Sequence, residues 1–449
     1  MAVSDNEEDA VNHGLDTFTL VVVSACVVVW SLVSRRLERW SISAPIAFVA
    51  LGLAVTHGPV HLIELNPHSS TILALAEVTL ALVLFTDASR VNVHQMRHDL
   101  GLPVRLLAVG LPLTIGFGIA AAFGILPGVG IWVAASIGAI VAPTDAALGA
   151  AIMEDRRIPR RIRRLLNVES GLNDGIATPF VNLFLAGAVS TEAAHTAQLG
   201  SAVRELLVGA GVGAGIGLVG GWLVAWAMSA GWSSPGFRPL AALGLALLAY
   251  GLALQLQGNG FVAAFLAGMA FGSLVRDGLD DIVDFAERIG GFFALMIWLV
   301  FGAVMVVPGF QAATWQDLVY GALALTALRM VPVALALAGS GLDRFTVGLV
   351  GWFGPRGLAS VVFGLIAYDT LDKTAGNQVL AVVVVTVTFS VVAHGLSAGP
   401  LAARYGAHVQ TLTEHRPEHA TTAPFRTRPG LEFRPARPIP SDPGGADGA

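Results

Sequence analysis

Runs of about twenty apolar residues recur along this chain, separated by short polar or Gly/Pro breaks. A run of that length is what an α-helix needs to cross the roughly 30 Å hydrocarbon layer of a bilayer. Thirteen such runs can be drawn, near residues 18–34, 42–57, 71–87, 103–124, 130–152, 165–189, 202–229, 239–256, 259–275, 291–308, 317–338, 345–368 and 379–403. The slightest separation is Gln257-Gly258-Asn259-Gly260, between the eighth and ninth. The pattern therefore predicts an all-α integral membrane protein of about thirteen transmembrane helices, numbered here as spans 1 to 13.

The placement of basic residues tests that count, because a miscount by one span would scramble the sidedness of every later loop. With the N-terminus outside, the inside loops and the C-terminal tail hold 22 of the 26 basic residues; the outside loops hold only Arg204 and Lys373, and Arg329 and Arg356 fall inside spans. A thirteen-span chain with its N-terminus outside and its C-terminus in the cytoplasm follows, as a multi-pass protein of the plasma (inner) membrane.

Composition agrees. The 449 residues are 55% hydrophobic and 13% charged, whereas a soluble domain carries about 25% charged residues. That excludes a soluble enzyme, a disulfide-built secreted domain and a disordered regulator. The single cysteine, Cys26, lies in an apolar run and can form neither an intramolecular disulfide nor a metal cluster. The N-terminal segment 1–17 is acidic (Asp5, Glu7, Glu8, Asp9, Asp16), unlike the basic start of a signal peptide, so span 1 is expected to remain as an anchor. Residues 405–449 contain seven prolines and little apolar surface, which predicts a disordered cytoplasmic tail. Residues 18–404 then form the membrane domain.

An ionised side chain near the bilayer centre costs on the order of 2.5–3.5 kcal/mol on insertion scales, so intramembrane charges mark function. Here they are Glu77, Asp87, Asp145, Glu169, Asp174, Arg329 and Arg356. Span 6 is richest, reading Asn167-Val168-Glu169-Ser170-Gly171-Leu172-Asn173-Asp174-Gly175. Ser170 and Asp174 share one helical stripe, and Glu169 and Asn173 share the adjacent one. Such oxygen-rich sets suit hard cations; a structural network between helices is the plainer reading. Arg329, in the middle of span 11, needs a partner or a water-filled cavity. Asp87 lies at a span end, where water can reach it.

Span 5 carries Ala142-Pro143-Thr144-Asp145, and span 12 carries Gly354-Pro355-Arg356-Gly357. Proline removes a backbone donor and clashes with the preceding turn, so both helices should kink or unwind beside a charge. If span 7 links two six-span halves, spans 5 and 12 occupy corresponding positions. Paired interrupted helices in two halves point to a transport site at the midplane.

These residues, taken in order, resemble those of the monovalent cation/proton antiporters of the NhaP/NHE type: Pro143-Thr144-Asp145, then Glu169-Ser170 with Asn173-Asp174, then Gly354-Pro355-Arg356-Gly357. The resemblance covers residues 15–404. It implies an inverted-repeat fold in which spans 5 and 12 cross where they are unwound. It further implies that Asp174 binds cation or proton alternately, aided by Asp145, the Thr144 backbone carbonyl and Ser170, so that Na⁺ would sit among Asp174, Asp145, Ser170 and Thr144. Glu169 would form a buried ion pair with Arg356, Asn173 would support the site by hydrogen bonding, and Glu77 would approach the cation from the neighbouring domain. Asn173 preceding the key aspartate implies electroneutral exchange of one cation for one proton. The family is dimeric and needs no cofactor; the partners implied are monovalent cations, protons, lipid and a second copy of the chain, not nucleic acid. Competition between proton and cation for one carboxylate would couple the two fluxes.

Two other classes fit the residues less well. A sodium-coupled symporter would use the same cation residues but needs a larger substrate cavity, for which no aromatic-lined pocket is legible. An intramembrane hydrolase with Ser170 as nucleophile and His394 as base lacks the Gly-x-Ser-x-Gly elbow, because Val168 stands two before Ser170. Gly209, Gly213, Gly217 and Gly221 in span 7 permit close helix approach, favouring internal packing over a dimer contact. Trp222, Trp226 and Trp232 read as interfacial residues, and His57, His61 and His68 as a solvated external loop group.

Overall fold

A computed structural model gives the fold; it describes residues 17–38, 42–57, 62–63, 65, 68–91, 101–189, 195–275, 278–413 and 416–420. The acidic N-terminal residues up to 16, His61 and the chain beyond 420 lie outside the described residues. The helices are α1 (Thr17–Glu38), α2 (Ala44–His57), α3 (Ser70–Ser89), α4 (Gly101–Arg105), α5 (Leu111–Ile125), α6 (Ile131–Ile140), α7 (Ala150–Met153), α8 (Arg160–Val189) and α9 (His195–Ser229). They continue with α10 (Arg238–Gln255), α11 (Gly260–Leu274), α12 (Leu279–Val300), α13 (Val306–Ala312), α14 (Trp315–Leu325), α15 (Ala327–Ala336), α16 (Arg344–Trp352), α17 (Leu358–Thr370) and α18 (Lys373–Val409). Single π-helical turns, Leu106–Gly110 and Phe301–Met305, join α4 to α5 and α12 to α13.

All thirteen predicted runs are helical. Among the described residues nine helical stretches are long and apolar enough to cross a membrane, and the other four runs hold shorter apolar helices: Ala44–His57, Ile131–Ile140, Gly260–Leu274 and Leu358–Thr370. Runs 5 and 12 are short for the expected reason. α6 stops before Pro143 and resumes as the single turn α7, while α16 stops at Trp352, just before Pro355, and resumes as α17. Run 11 is also divided, which the sequence pattern does not announce: Thr326 leaves the helical region (φ −112°, ψ −99°) and separates α14 from α15.

Packing follows the small residues. A Cβ on Gly209, Gly213 or Gly217 would come within 2.4 Å of the backbone of Asn259, Ala263 or Ala267. The glycine stripe of α9 is thus an internal seam against α11. The opposite face of α11 is equally close to α3: a Cβ on Gly268 or Gly272 would meet the carbonyl oxygens of Phe85 and Ser89 at 2.2 and 1.9 Å. Side-chain packing is dense elsewhere, with Phe48, Phe85, Phe271, Phe301 and Phe363 almost wholly buried.

The last helix overruns the boundary expected at residue 404. α18 continues to Val409, and a 3₁₀ turn at Pro417–His419 docks on the bundle. Buried Glu418 accepts from the Asp343 N–H at 2.6 Å and the Thr346 hydroxyl at 2.9 Å, and Arg161 donates to the Pro417 carbonyl. The start of the polar tail is therefore ordered, one carboxylate accepting from two donors at the N-terminus of α16.

Candidate cation site at the crossing of two interrupted helices

Ending a helix leaves backbone groups without intrahelical partners. Where α6 stops, the carbonyls of Ala142 and Pro143 face inward, and where α17 begins, the Leu358 N–H does. The two breaks satisfy each other. The Asp145 N–H donates to the Pro355 carbonyl at 2.7 Å, and the Leu358 N–H donates to Asp145 Oδ2 at 2.9 Å. Asp145 Oδ1 accepts from the N–H groups of Ala147 and Leu148 at 2.6 and 3.1 Å. Gly357 is required here, since a Cβ would fall 2.1 Å from Asp145 Oδ2.

α8 runs past this crossing and contributes the polar stripe. Thr144 and Ser170 hydroxyls lie 3.0 Å apart, and the Asn173 side-chain N–H donates to Thr144 Oγ1 at 2.5 Å. Asn173 Oδ1 accepts no hydrogen bond among the described residues. Asp174 follows Asn173 on the same turn and is 8% exposed, close to the 9% of Asp145, whereas Glu169, Ser170, Asn173 and Thr144 are each 2% or less. Sealed hydroxyl and amide groups thus adjoin two carboxylates that retain slight access. Gly175, beside Asp174, faces the ring of Phe265 on α11, and Gly171 faces Asp87 on α3.

The ion pair differs from the expected one. Glu169 pairs with Arg329 of α15, Nη2 to Oε1 at 2.5 Å, with both side chains buried. Arg356 instead donates from Nη1 to the carbonyls of Ala142 (2.8 Å) and Pro143 (3.3 Å) and from Nη2 to Ala324 (3.0 Å). The reason is the set of carbonyls left by the breaks in runs 5 and 11: they form an acceptor cage that a guanidinium fills without a carboxylate. Arg329 is the residue that motif reading passed over. The available signal was that it is a lone intramembrane cation, while Glu169 is the acid left over once the cation ligands are assigned.

Glu77 makes no hydrogen bond to this cluster among the described residues. It accepts from the Tyr250 hydroxyl at 2.8 Å, joining α3 to α10. Of the loop histidines, His68 bonds Asp369 at 3.1 Å and stacks on Tyr368, and His57 bonds Thr56.

Residues 22–404 match the sequence profile of the family described as "Sodium/hydrogen exchanger, transmembrane". The chain belongs to the sodium/hydrogen exchanger family. Within that family it is similar to the K(+)/H(+) antiporter NhaP2 of Shewanella sp. (strain MR-4), 26% identical over 373 residues, covering 78% of this chain and 60% of that protein. It is also similar to the Na(+)/H(+) antiporter ApNhaP of Aphanothece halophytica, 25% identical over 411 residues, covering 87% and 74%. The chain thus spans about 60% of the length of the first curated relatives it matches. Its fold is shared with the sodium proton antiporter MjNhaP1 of Methanocaldococcus jannaschii at pH 8: TM-score 0.70 at 18% identity, over 86% of this chain and 99% of that one. The exchanger fold that the resemblance implies is therefore the observed one, in a multi-pass membrane protein.

Proposed function

We propose that this exchanger carries a monovalent cation, Na⁺ first with Li⁺ or K⁺ as alternatives, in exchange for H⁺ by alternating access. The observation that carries the reading is the meeting of Thr144, Ser170 and Asn173 beside Asp145 and Asp174, at two helix breaks that are hydrogen-bonded to one another. Asp174 is the group that holds cation and proton in turn. Asp145, the Thr144 carbonyl and the Ser170 hydroxyl complete an oxygen shell suited to a hard cation, and Asn173 fixes the Thr144 hydroxyl. A proton on Asp174 cancels the charge that holds the cation, so the two are mutually exclusive and their fluxes are coupled. Glu77 approaches the cation from the neighbouring domain. Glu169 and Arg329 neutralise each other, leaving the transported charge to the aspartates.

The exchanger domain is residues 18–404, crossing the membrane thirteen times with the N-terminus outside and the C-terminus cytoplasmic. It works as a homodimer in the plasma (inner) membrane, without a cofactor and without nucleic acid. Exchange is electroneutral, following Asn173 ahead of Asp174.

The test is reconstitution in liposomes that enclose a pH dye and hold a preset pH gradient. Added Na⁺, Li⁺ or K⁺ is expected to dissipate the gradient, and Asp174→Asn to abolish the response. Failure of all three cations on the parent protein, or a fully active Asp174→Asn, refutes the assignment. A rate that responds to an imposed membrane potential refutes electroneutrality.

A further inference from the structure

The break between α16 and α17 is held from one side by α18, through two residues with no part in the exchange chemistry described above. His394 is 3% exposed and Ser390 is wholly buried. His394 Nε2 lies 2.7 Å from the carbonyl oxygen of Trp352, the last residue of α16. A carbonyl can only accept, so this contact is a hydrogen bond in the tautomer with its proton on Nε2, in which Nδ1 accepts from the Ser390 hydroxyl. The imidazole is wedged against the indole of Trp352 (5.2 Å between centroids, 33° between planes) and the ring of Phe353 (6.0 Å). On the far side of the break, the Arg356 N–H donates to Ser390 Oγ at 2.6 Å. His394 Nδ1 closes the chain on α18 itself, 3.2 Å from Ser390 Oγ and 2.8 Å from the Ser390 carbonyl. One turn of α18 therefore grips residue 352 with one side chain and residue 356 with the other, spanning the non-helical segment between them.

That segment carries the groups that hold Asp145. The Pro355 carbonyl accepts from the Asp145 N–H, Gly357 makes room for the carboxylate, and the Leu358 N–H donates to it. The adjoining Arg356 side chain binds the carbonyls of Ala142 and Pro143. No other side chain has a hydrogen bond to the backbone of residues 352–356 among the described residues. We propose that His394, with Ser390, is a positioning residue for exchange: it fixes both ends of the break in span 12 from α18 and thereby sets the place of Asp145. The inference rests on the exchange activity proposed above.

The test is the Na⁺ dependence of exchange in liposomes for His394→Leu, His394→Gln and Ser390→Ala. Glutamine keeps an N–H donor for the Trp352 carbonyl and leucine does not. Losing that bond is expected to raise the KM for Na⁺ about tenfold, the equivalent of one hydrogen bond, with the maximal rate within about twofold of the parent. His394→Gln restores the parent KM, and Ser390→Ala shifts KM in the same direction as leucine. A folded His394→Leu with the parent KM overturns the proposal, as does a His394→Gln as impaired as the leucine variant. If His394→Leu does not fold, the other two decide: a Ser390→Ala with unchanged KM, or a His394→Gln with a raised one, overturns it. A parent protein that exchanges no cation overturns the exchange reading and this one together; an active parent matched in KM by His394→Leu overturns this one alone.

Discussion

Removing the Arg329 guanidinium should damage the fold through Glu169. Both side chains of the pair are at most 3% exposed and their charged atoms are 2.5 Å apart. Two unit charges about 4 Å apart attract by about 4 kcal/mol at an effective dielectric constant near 20. Deleting one partner of a buried pair leaves the other uncompensated, at about 3–5 kcal/mol. Arg329→Ala is therefore expected to lose about that much stability. Glu169→Gln should lose a similar amount, and the double variant little more than either, giving a coupling of about 2–4 kcal/mol. Arg356→Ala should be costly for another reason: it removes donors from three carbonyls, at about 1.5–3 kcal/mol for each charge-assisted bond. Its coupling to Glu169→Gln should be smaller than that of Arg329→Ala, since Arg356 spends its hydrogen bonds on carbonyls. The assay is unfolding in detergent followed by tryptophan fluorescence, read as a double-mutant cycle for each pair. A larger coupling of Glu169 to Arg356 than to Arg329 would refute the assignment.

Other outcomes follow from the same geometry. Gly213→Val places atoms where a Cβ would already sit 2.3 Å from the Ala263 carbonyl and should destabilise by at least about 1–3 kcal/mol. Gly211→Ala, whose Cβ meets nothing within 4 Å, should be neutral or stabilising by up to about 1 kcal/mol; thermal melts of the two check the contrast. Gly357→Ala should abolish cation-driven dissipation of a pH gradient while Gly348→Ala, also in open space, should not. Asp343 is outside the membrane-spanning segments. Burial pushes its carboxyl up, but the Phe345 N–H and His408 outweigh this and hold it below the usual carboxylate range. Its contribution is present above the unfolded carboxylate pKa, about 4, and is lost as pH falls through the lower folded value. Asp343→Asn should thus melt earlier than the parent at pH 7, by less than about 1 kcal/mol for so exposed a pair, and the gap should close on acidification.

What the sequence disclosed and what it withheld divide along physical lines. Apolar length and proline position are local properties, so the thirteen helical runs and the breaks at Pro143 and Pro355 could be read directly. The cluster of Thr144, Ser170 and Asn173 was legible because two motifs of fixed spacing supply it. The partner of Glu169 was not, since two arginines were available and the choice turned on which carbonyls the tertiary fold left open. The break at Thr326 has no proline at the break itself; Pro332 lies six residues further on. Residues 416–420 are held by buried Glu418 and by Arg161 on the Pro417 carbonyl, tertiary contacts made by a stretch whose composition reads as tail.

The glycine seams carry a mechanical consequence. α11 meets α9 on one face and α3 on the other with backbone against backbone, leaving no layer of side chains to shear, so the three helices behave as one stiff slab. α8 presents to that slab Gly171 and Gly175, four residues apart on one face, and the gap at Gly175, immediately beside Asp174, is filled by the Phe265 ring. That contact puts Asp174 where α8 meets the slab rather than deep within either part. A methyl group added at Gly175 would strike the Phe265 ring and should slow the exchange cycle, measured as a fall in maximal rate, more than it alters cation affinity.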